Sequence, residues 1–221
     1  MESSRTDDLI VIFTWLPIIV FAIGSNLLVI AGILSDHKMR RATSYWFVLS
    51  LCVCDLVMSL IVLIFIIPEL ALAEKWERSF NFFFMFIYHI FWYSAVFHLA
   101  IMALNRLIVT VTFDYDIVFS RRNSMIYICC AYIGGFFVAF PTLFKCCNIR
   151  FDHKAYATHY ESEDSPHQNA DLVVSVSALA TMLVCYSFIL VVVNRRHSRI
   201  TASRCTRKSS RKNKEVRLFF Q

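Results

Sequence analysis

Five long apolar runs separated by short polar segments organise this chain, at approximately Leu9–Leu34, Tyr45–Pro68, Phe80–Phe113, Met125–Phe144 and Leu172–Val193. Each is long enough to cross a hydrocarbon core as a helix, which takes about 20 apolar residues. Inside them only Asp55 and Arg106 are charged. The third run would reach about 50 Å at about 1.5 Å per residue, so it tilts or projects from the bilayer. The pattern predicts an all-α, polytopic membrane bundle over residues 1–193, followed by a basic segment at 194–221.

Composition agrees. Apolar residues make up 58% of the 221 and charged residues 17%, where a soluble domain has about a quarter charged. Mean hydropathy is +0.58. Of the eight cysteines, Cys52, Cys54, Cys129, Cys130 and Cys185 lie in apolar runs, where Cys acts as a small hydrophobe. Cys205 falls in the basic segment; only Cys146 and Cys147 fall where an oxidising compartment would reach them. No spacing matches a zinc site.

Charge sets the orientation. One set of loops carries Lys38, Arg40, Arg41, Arg121 and Arg122, and the tail after Val193 has ten Lys or Arg against Glu215. The opposite loops are acidic, with Glu2, Asp7, Asp8, Glu69, Glu74 and Glu77, and five acids between the fourth and fifth runs. This predicts an extracellular amino terminus and a cytoplasmic carboxyl terminus. The leader MESSRTDD is acidic, and the first run is long and lacks a small-residue cleavage site, so it reads as a permanent helix rather than a signal sequence.

Asp55 near mid-helix costs about 2.5–3.5 kcal/mol on insertion scales, so it should face the bundle interior. It reads either as an ion or switch site or as a neutral carboxyl bonded to Asn26 or backbone. Arg106, in ALNRLIV, is a functional cation or one snorkelling to the inner headgroups. Asn26, after Gly24 and Ser25, would otherwise be glue between helices.

In order along the chain stand G-S-N in the first run, L-S-L-C-V-C-D in the second and A-L-N-R-L near the end of the third. Together they resemble the rhodopsin-like G-protein-coupled receptors. With the TFDYDIVFS loop and the terminal KEVRLFFQ, the chain resembles the nematode serpentine chemoreceptors, the Srx class among them. The resemblance covers almost the whole chain and implies seven helices, an interior polar network at Asn26 and Asp55, and G-protein engagement at Arg106. Trp76 and Tyr186 fit the same pattern. Asn105 stands where the family usually has an acid, so the ion pair restraining Arg106 is absent. No Cys stands near Asn81, so the usual bridge to the fourth-to-fifth loop cannot form. Ala178 replaces a kinking Pro, and Ala95 beside Ser94 removes a hydroxyl that a sodium site at Asp55 would use.

Two further helices are expected of such a receptor. NKEVRLFFQ reads as the start of a sixth, so the chain is expected to be truncated there and not to signal alone. The resemblance places Tyr88 and Trp92, with His89 beside them, on the ligand-facing side of the third helix. With no carboxylate there, a small apolar or hydrogen-bonding ligand suits better than an amine; an interfacial aromatic belt is the bland alternative. Asp171 reads as an N-terminal helix carboxylate. His153, His159 and His167, among Asp152, Glu161, Glu163 and Asp164, read as a solvated loop rather than a metal site.

No N-glycosylation sequon occurs. The basic tail reads as a positive-inside segment able to meet anionic lipid or a G protein, with Cys205 a palmitoylation candidate. It lacks the aromatic platform of a nucleic-acid binder. No glycine phosphate loop, zinc motif or nucleophile elbow suggests an enzyme, and no cofactor is implied. The competing readings are a small transporter or channel using Asp55, and a non-signalling partner of full-length receptors. The first would call for a second intramembrane charge or repeats, and neither is seen.

Overall fold

The computed structural model describes residues 2–72, 78–111, 115–152, 155–161 and 165–219; for 2–4, 78–79, 115–116 and 196–219 it describes the backbone alone. Its helices are α1 (Glu2–Ser35), α2 (His37–Arg41), α3 (Thr43–Ile61), α4 (Ile67–Leu72), α5 (Arg78–Val111), α6 (Tyr115–Val118), α7 (Arg121–Ala139) and α8 (Pro166–Phe219). A π turn, Val62–Ile66, joins α3 to α4 into one rod, and a 3-10 turn, Phe140–Leu143, finishes α7. Five stretches are long and apolar enough to cross a membrane: Arg5–Ser35, Thr43–Leu72, Phe80–Val111, Arg121–Leu143 and Pro166–Arg195.

The number of spans agrees with the apolar runs, while their ends reach further. The acidic leader continues α1 because no Gly or Pro interrupts residues 2–16. Pro68 does not stop the second span, because the π turn below it absorbs the missing hydrogen bond; Ile67 N–H reaches back to Val62 O. Ser120 caps α7 by accepting from Asn123 N at 3.3 Å, so Arg121 and Arg122 open a helix rather than lie in a loop. Beyond Pro166 there is neither Gly nor Pro, and α8 runs through the basic segment without the break expected after Val193.

Helix α5 is the hub, packed against α3, α7 and α8, while α1 packs on α3. The close approach of α5 and α7 depends on Gly135. A Cβ there would meet Ser94 Oγ, Ile90 O at 2.7 Å and Ser94 N at 2.8 Å.

The fourth-to-fifth loop departs most from expectation. It folds into an antiparallel hairpin, β1 (Ile149–Asp152) and β2 (Ala157–Tyr160), with Ile149 opposite Tyr160 and Phe151 opposite Thr158. Alternation along β1 buries Ile149 and Phe151 and leaves Arg150 outside. Phe151 enters a core with Ile61, Phe65, Ile66, Leu70 and Met85, and its ring lies 6.5 Å from Trp15 in an edge contact. Tyr156, in the left-handed region at φ 50°, donates to Asp8 Oδ1 at 2.8 Å and ties the hairpin to α1. The solvated-loop reading is therefore corrected: His159 is exposed, but His167 is buried in the first turn of α8. His153, Glu163 and Asp164 lie outside the described residues.

Candidate functional site

Three groups of polar side chains line α5 from its inner to its outer end. At the inner end Arg106 is exposed and makes no side-chain hydrogen bond or ion pair among the described residues. Its neighbour Asn105 is buried and turned toward α3, where its Oδ1 accepts from Ser44 Oγ at 3.3 Å. Asn105 Nδ2 has no partner. The amide beside Arg106 thus braces two helices and leaves the guanidinium alone. Tyr186 is also exposed, on α8. The inner loop is held by Phe119, whose ring meets Phe47 and Tyr127 edge-on at 5.9 and 5.6 Å. Asp114 and Trp76 lie outside the described residues.

At mid-height, His98 Nδ1 donates to Ser94 O at 2.7 Å, which leaves Nε2 to accept from Ser50 Oγ at 2.9 Å. Tyr132 Oη lies 3.0 Å from Ser50 Oγ and donates to Ser50 O at 3.2 Å. Cys54 adds its thiol to Tyr132 Oη at 3.5 Å. Ser50 and His98 are buried, so this node joins α3, α5 and α7 where water is scarce and an unpaired group would be costly. The family-implied pair is looser. Asn26 Nδ2 donates to Ala22 O of its own helix at 2.9 Å, and Asp55 is half-buried without a hydrogen-bond partner among the described residues. Ser94 gives its proton to Ile90 O and packs on Gly135, facing α7.

The outer group gathers residues from α5, β2 and α8. His167 Nε2 donates to Val138 O at 2.7 Å, so its Nδ1 faces Tyr160 Oη at 3.1 Å as an acceptor. Tyr160 Oη also lies 3.4 Å from Asp171 Oδ2. Burial and, after it, the Asp171 carboxylate push the Tyr160 phenol up to about 12, so it remains a proton donor. Asp171 also accepts from Ser175 Oγ at 3.5 Å. It sits in the second turn of α8, not the first, which corrects its reading as a helix-start carboxylate.

Tyr93 is wholly buried; its ring lies 6.2 Å from those of His89 and His167, and its Oη has no hydrogen-bond partner among the described residues. His89 donates from Nδ1 to Met85 O at 2.7 Å and stands against Tyr88. Tyr88 is half-buried, while Trp92 is 43% exposed on the open side of α5. Residue counting singled out Tyr88, His89 and Trp92 as candidates and did not include Tyr93 or Tyr160. A phenol whose position continues the 85, 89, 93 spacing was the available signal for Tyr93.

Above this group, Asn81 and Asn148 line a small cleft with Phe82, Ile149, Arg150 and Glu161. Arg150 pairs with Glu161 at 2.7 Å. Next to Asn148, the Cys146 and Cys147 sulfurs lie 2.6 Å apart, and this contact raises the Cys146 thiol pKa. Among the described residues no three His, Cys, Asp or Glu side chains are grouped to hold a metal ion. The arrangement places buried phenol and imidazole groups toward one end of α5 and an exposed guanidinium near the other.

Residues 25–220 match the family model described as 7 transmembrane receptor (rhodopsin family). No curated protein matches the sequence. Among solved structures, squid rhodopsin superposes with a TM-score of 0.71 at 16% sequence identity, over 84% of this chain and 55% of that one. The chain therefore spans about half the length of squid rhodopsin. A family match over most of the residues, on a fold with five membrane-length helices, makes this an integral membrane protein of the rhodopsin-like, G-protein-coupled receptor family.

Proposed function

We propose that these 221 residues carry the ligand-facing and G-protein-facing parts of a chemosensory receptor of the nematode serpentine kind. It sits in the plasma membrane with its amino terminus outside. Its ligand is a small apolar or hydrogen-bonding molecule that meets Tyr88, His89 and Trp92 together with Tyr93 and Tyr160. Arg106, Asn105 and Tyr186 form the inner contact with a heterotrimeric G protein, and Asn26 and Asp55 lie in the polar interior between. The observation that carries this reading is the division of α5: a buried phenol and imidazole cluster at one end, an unpaired exposed Arg106 at the other.

By themselves the 221 residues do not signal. Ligand-driven activation needs a second packing arrangement of an element beside Arg106, and none of the described helices covers that residue. Membranes carrying only this chain, mixed with a heterotrimeric G protein, are expected to exchange guanine nucleotide at the rate of empty membranes. Ligand-stimulated exchange from the chain alone would overturn this. Orientation is tested separately: a sequon inserted before Asp7 should become glycosylated, and one in the segment after Arg195 should not.

A further inference from the structure

Cys146 and Cys147 belong to none of the groups that line α5. They follow the 3-10 turn that ends α7, where Cys147 N–H donates to Phe144 O at 3.0 Å and closes a tight turn at the root of the hairpin. Cys146 is exposed and Cys147 buried. Their sulfurs meet at 2.6 Å, closer than two unbonded sulfurs pack. The next residue, Asn148, lines the cleft together with Asn81 of α5 and donates from Nδ2 to Glu161 Oε2 at 3.3 Å. The hairpin packs on α5 through Phe151 against Met85, and the two cysteine sulfurs meet each other.

We infer that Cys146 and Cys147 form a redox-active vicinal pair, closed as a disulfide on the outer face and reopened by external thiols. The inference rests on the outward topology proposed above. Closure proceeds by exchange. The exposed Cys146 thiolate attacks a disulfide of an oxidoreductase or small thiol compound, and one reagent thiol leaves. The Cys147 thiolate then attacks Cys146 Sγ of the mixed disulfide and expels the second thiol. Two protein thiols are oxidised and one external disulfide is reduced to two thiols. Consecutive Cα atoms stand about 3.8 Å apart, below the usual 4.4–6.8 Å for a disulfide, so the ring is easier to reduce than an ordinary bridge. Its state sets the stiffness of the turn that delivers Asn148 to the cleft and Ile149 to β1.

The test uses the full chain in intact cells. Free thiols are alkylated with light iodoacetamide in denaturant, and the remainder are reduced and alkylated with a heavy form. The tryptic peptide Cys146–Arg150 is then weighed. Two heavy labels are expected, with an unreduced peptide lighter by two hydrogens. Two light labels, or a cross-link to another cysteine, would overturn the pairing.

A membrane-impermeant reductant added before alkylation should convert the labels from heavy to light. If it acts only after permeabilisation, the pairing stands and the outward topology fails. In Cys147→Ser, Cys146 should react with an impermeant maleimide that the parent chain resists; equal resistance that persists after permeabilisation would also overturn the pairing.

Discussion

At its outer end α5 is gripped from several sides: Met85 packs with Phe151 of the hairpin, Tyr93 lies against His167 of α8, and Ser94 packs on Gly135 of α7. At the opposite end Ala103 and Asn105 are buried and Ser44 donates to Asn105, but the next residue, Arg106, is exposed without a side-chain hydrogen bond or ion pair among the described residues. The same helix is thus enclosed around its phenol and imidazole cluster and exposed at Arg106. Stability and function should separate along it. Substitutions near Met85 and Tyr93 should destabilise the protein, while those at Arg106 should leave it folded.

The sharpest way to break that contrast is Phe151→Ala. Removing a buried Phe ring costs about 3–5 kcal/mol in protein cores, so thermal unfolding in detergent should fall markedly and the hairpin should become open to proteolysis. An unchanged melting temperature would mean that the hairpin is not anchored by this ring.

Gly135→Ala should cost about 1–3 kcal/mol by overpacking, because backbone atoms of α5 stand in the way of the new methyl. Gly24→Ala is the control, with nothing within 4 Å of its Cβ. It should be neutral or gain up to about 1 kcal/mol in helix propensity. Equal melting temperatures for the two variants would remove the argument for close α5–α7 contact.

Tyr160→Phe should cost about 1 kcal/mol, the net worth of a hydrogen bond. The same residue gives a pH signature. Its phenol is held at about 12 against an ordinary 10.0, so the fold favours the neutral form. That contribution is complete below pH 10 and disappears as pH rises toward 12. Melting curves of the parent chain should fall more steeply across this window than those of Tyr160→Phe; parallel curves would contradict the buried-phenol assignment.

Smallest of all, Arg106→Ala should change stability by no more than about 0.5 kcal/mol, as for other exposed sites. A loss comparable to that at Gly135 would show that the inner end is gripped as well.

The spans were legible in the sequence because lipid demands about 20 uninterrupted apolar residues, a signal that survives without knowledge of the fold. Their ends were less legible. Helix continues where Gly and Pro are missing, as at residues 2–8 and after Val193, and hydropathy does not register that. The hairpin was missed because a strand of four residues, Ile149–Asp152, gives only two turns of alternation.

At the candidate site, Arg106 and Asn105 were singled out by motif and His89 by position. Ser50, His98 and Tyr132 were not, although a serine, a histidine and a tyrosine inside apolar runs each need a partner. Which partners they have depends on the distances between helices, and those appear only once Gly135 has brought α7 against α5.

The turn of π-helix at Val62–Ile66 has an angular consequence. Each residue of an α-helix advances about 100° around the axis, so the one extra residue in that turn offsets everything above it by roughly that angle. Glu69 and Leu70 reach the interior, at 2% and 4% exposure, in this offset phase. Straightened into plain α-helix, the same letters would rotate both toward lipid and carry Leu70 away from Phe151. The second span therefore holds one amino acid whose contribution is a rotation: it sets the compass bearing of the outer mouth independently of the segment that carries Asp55.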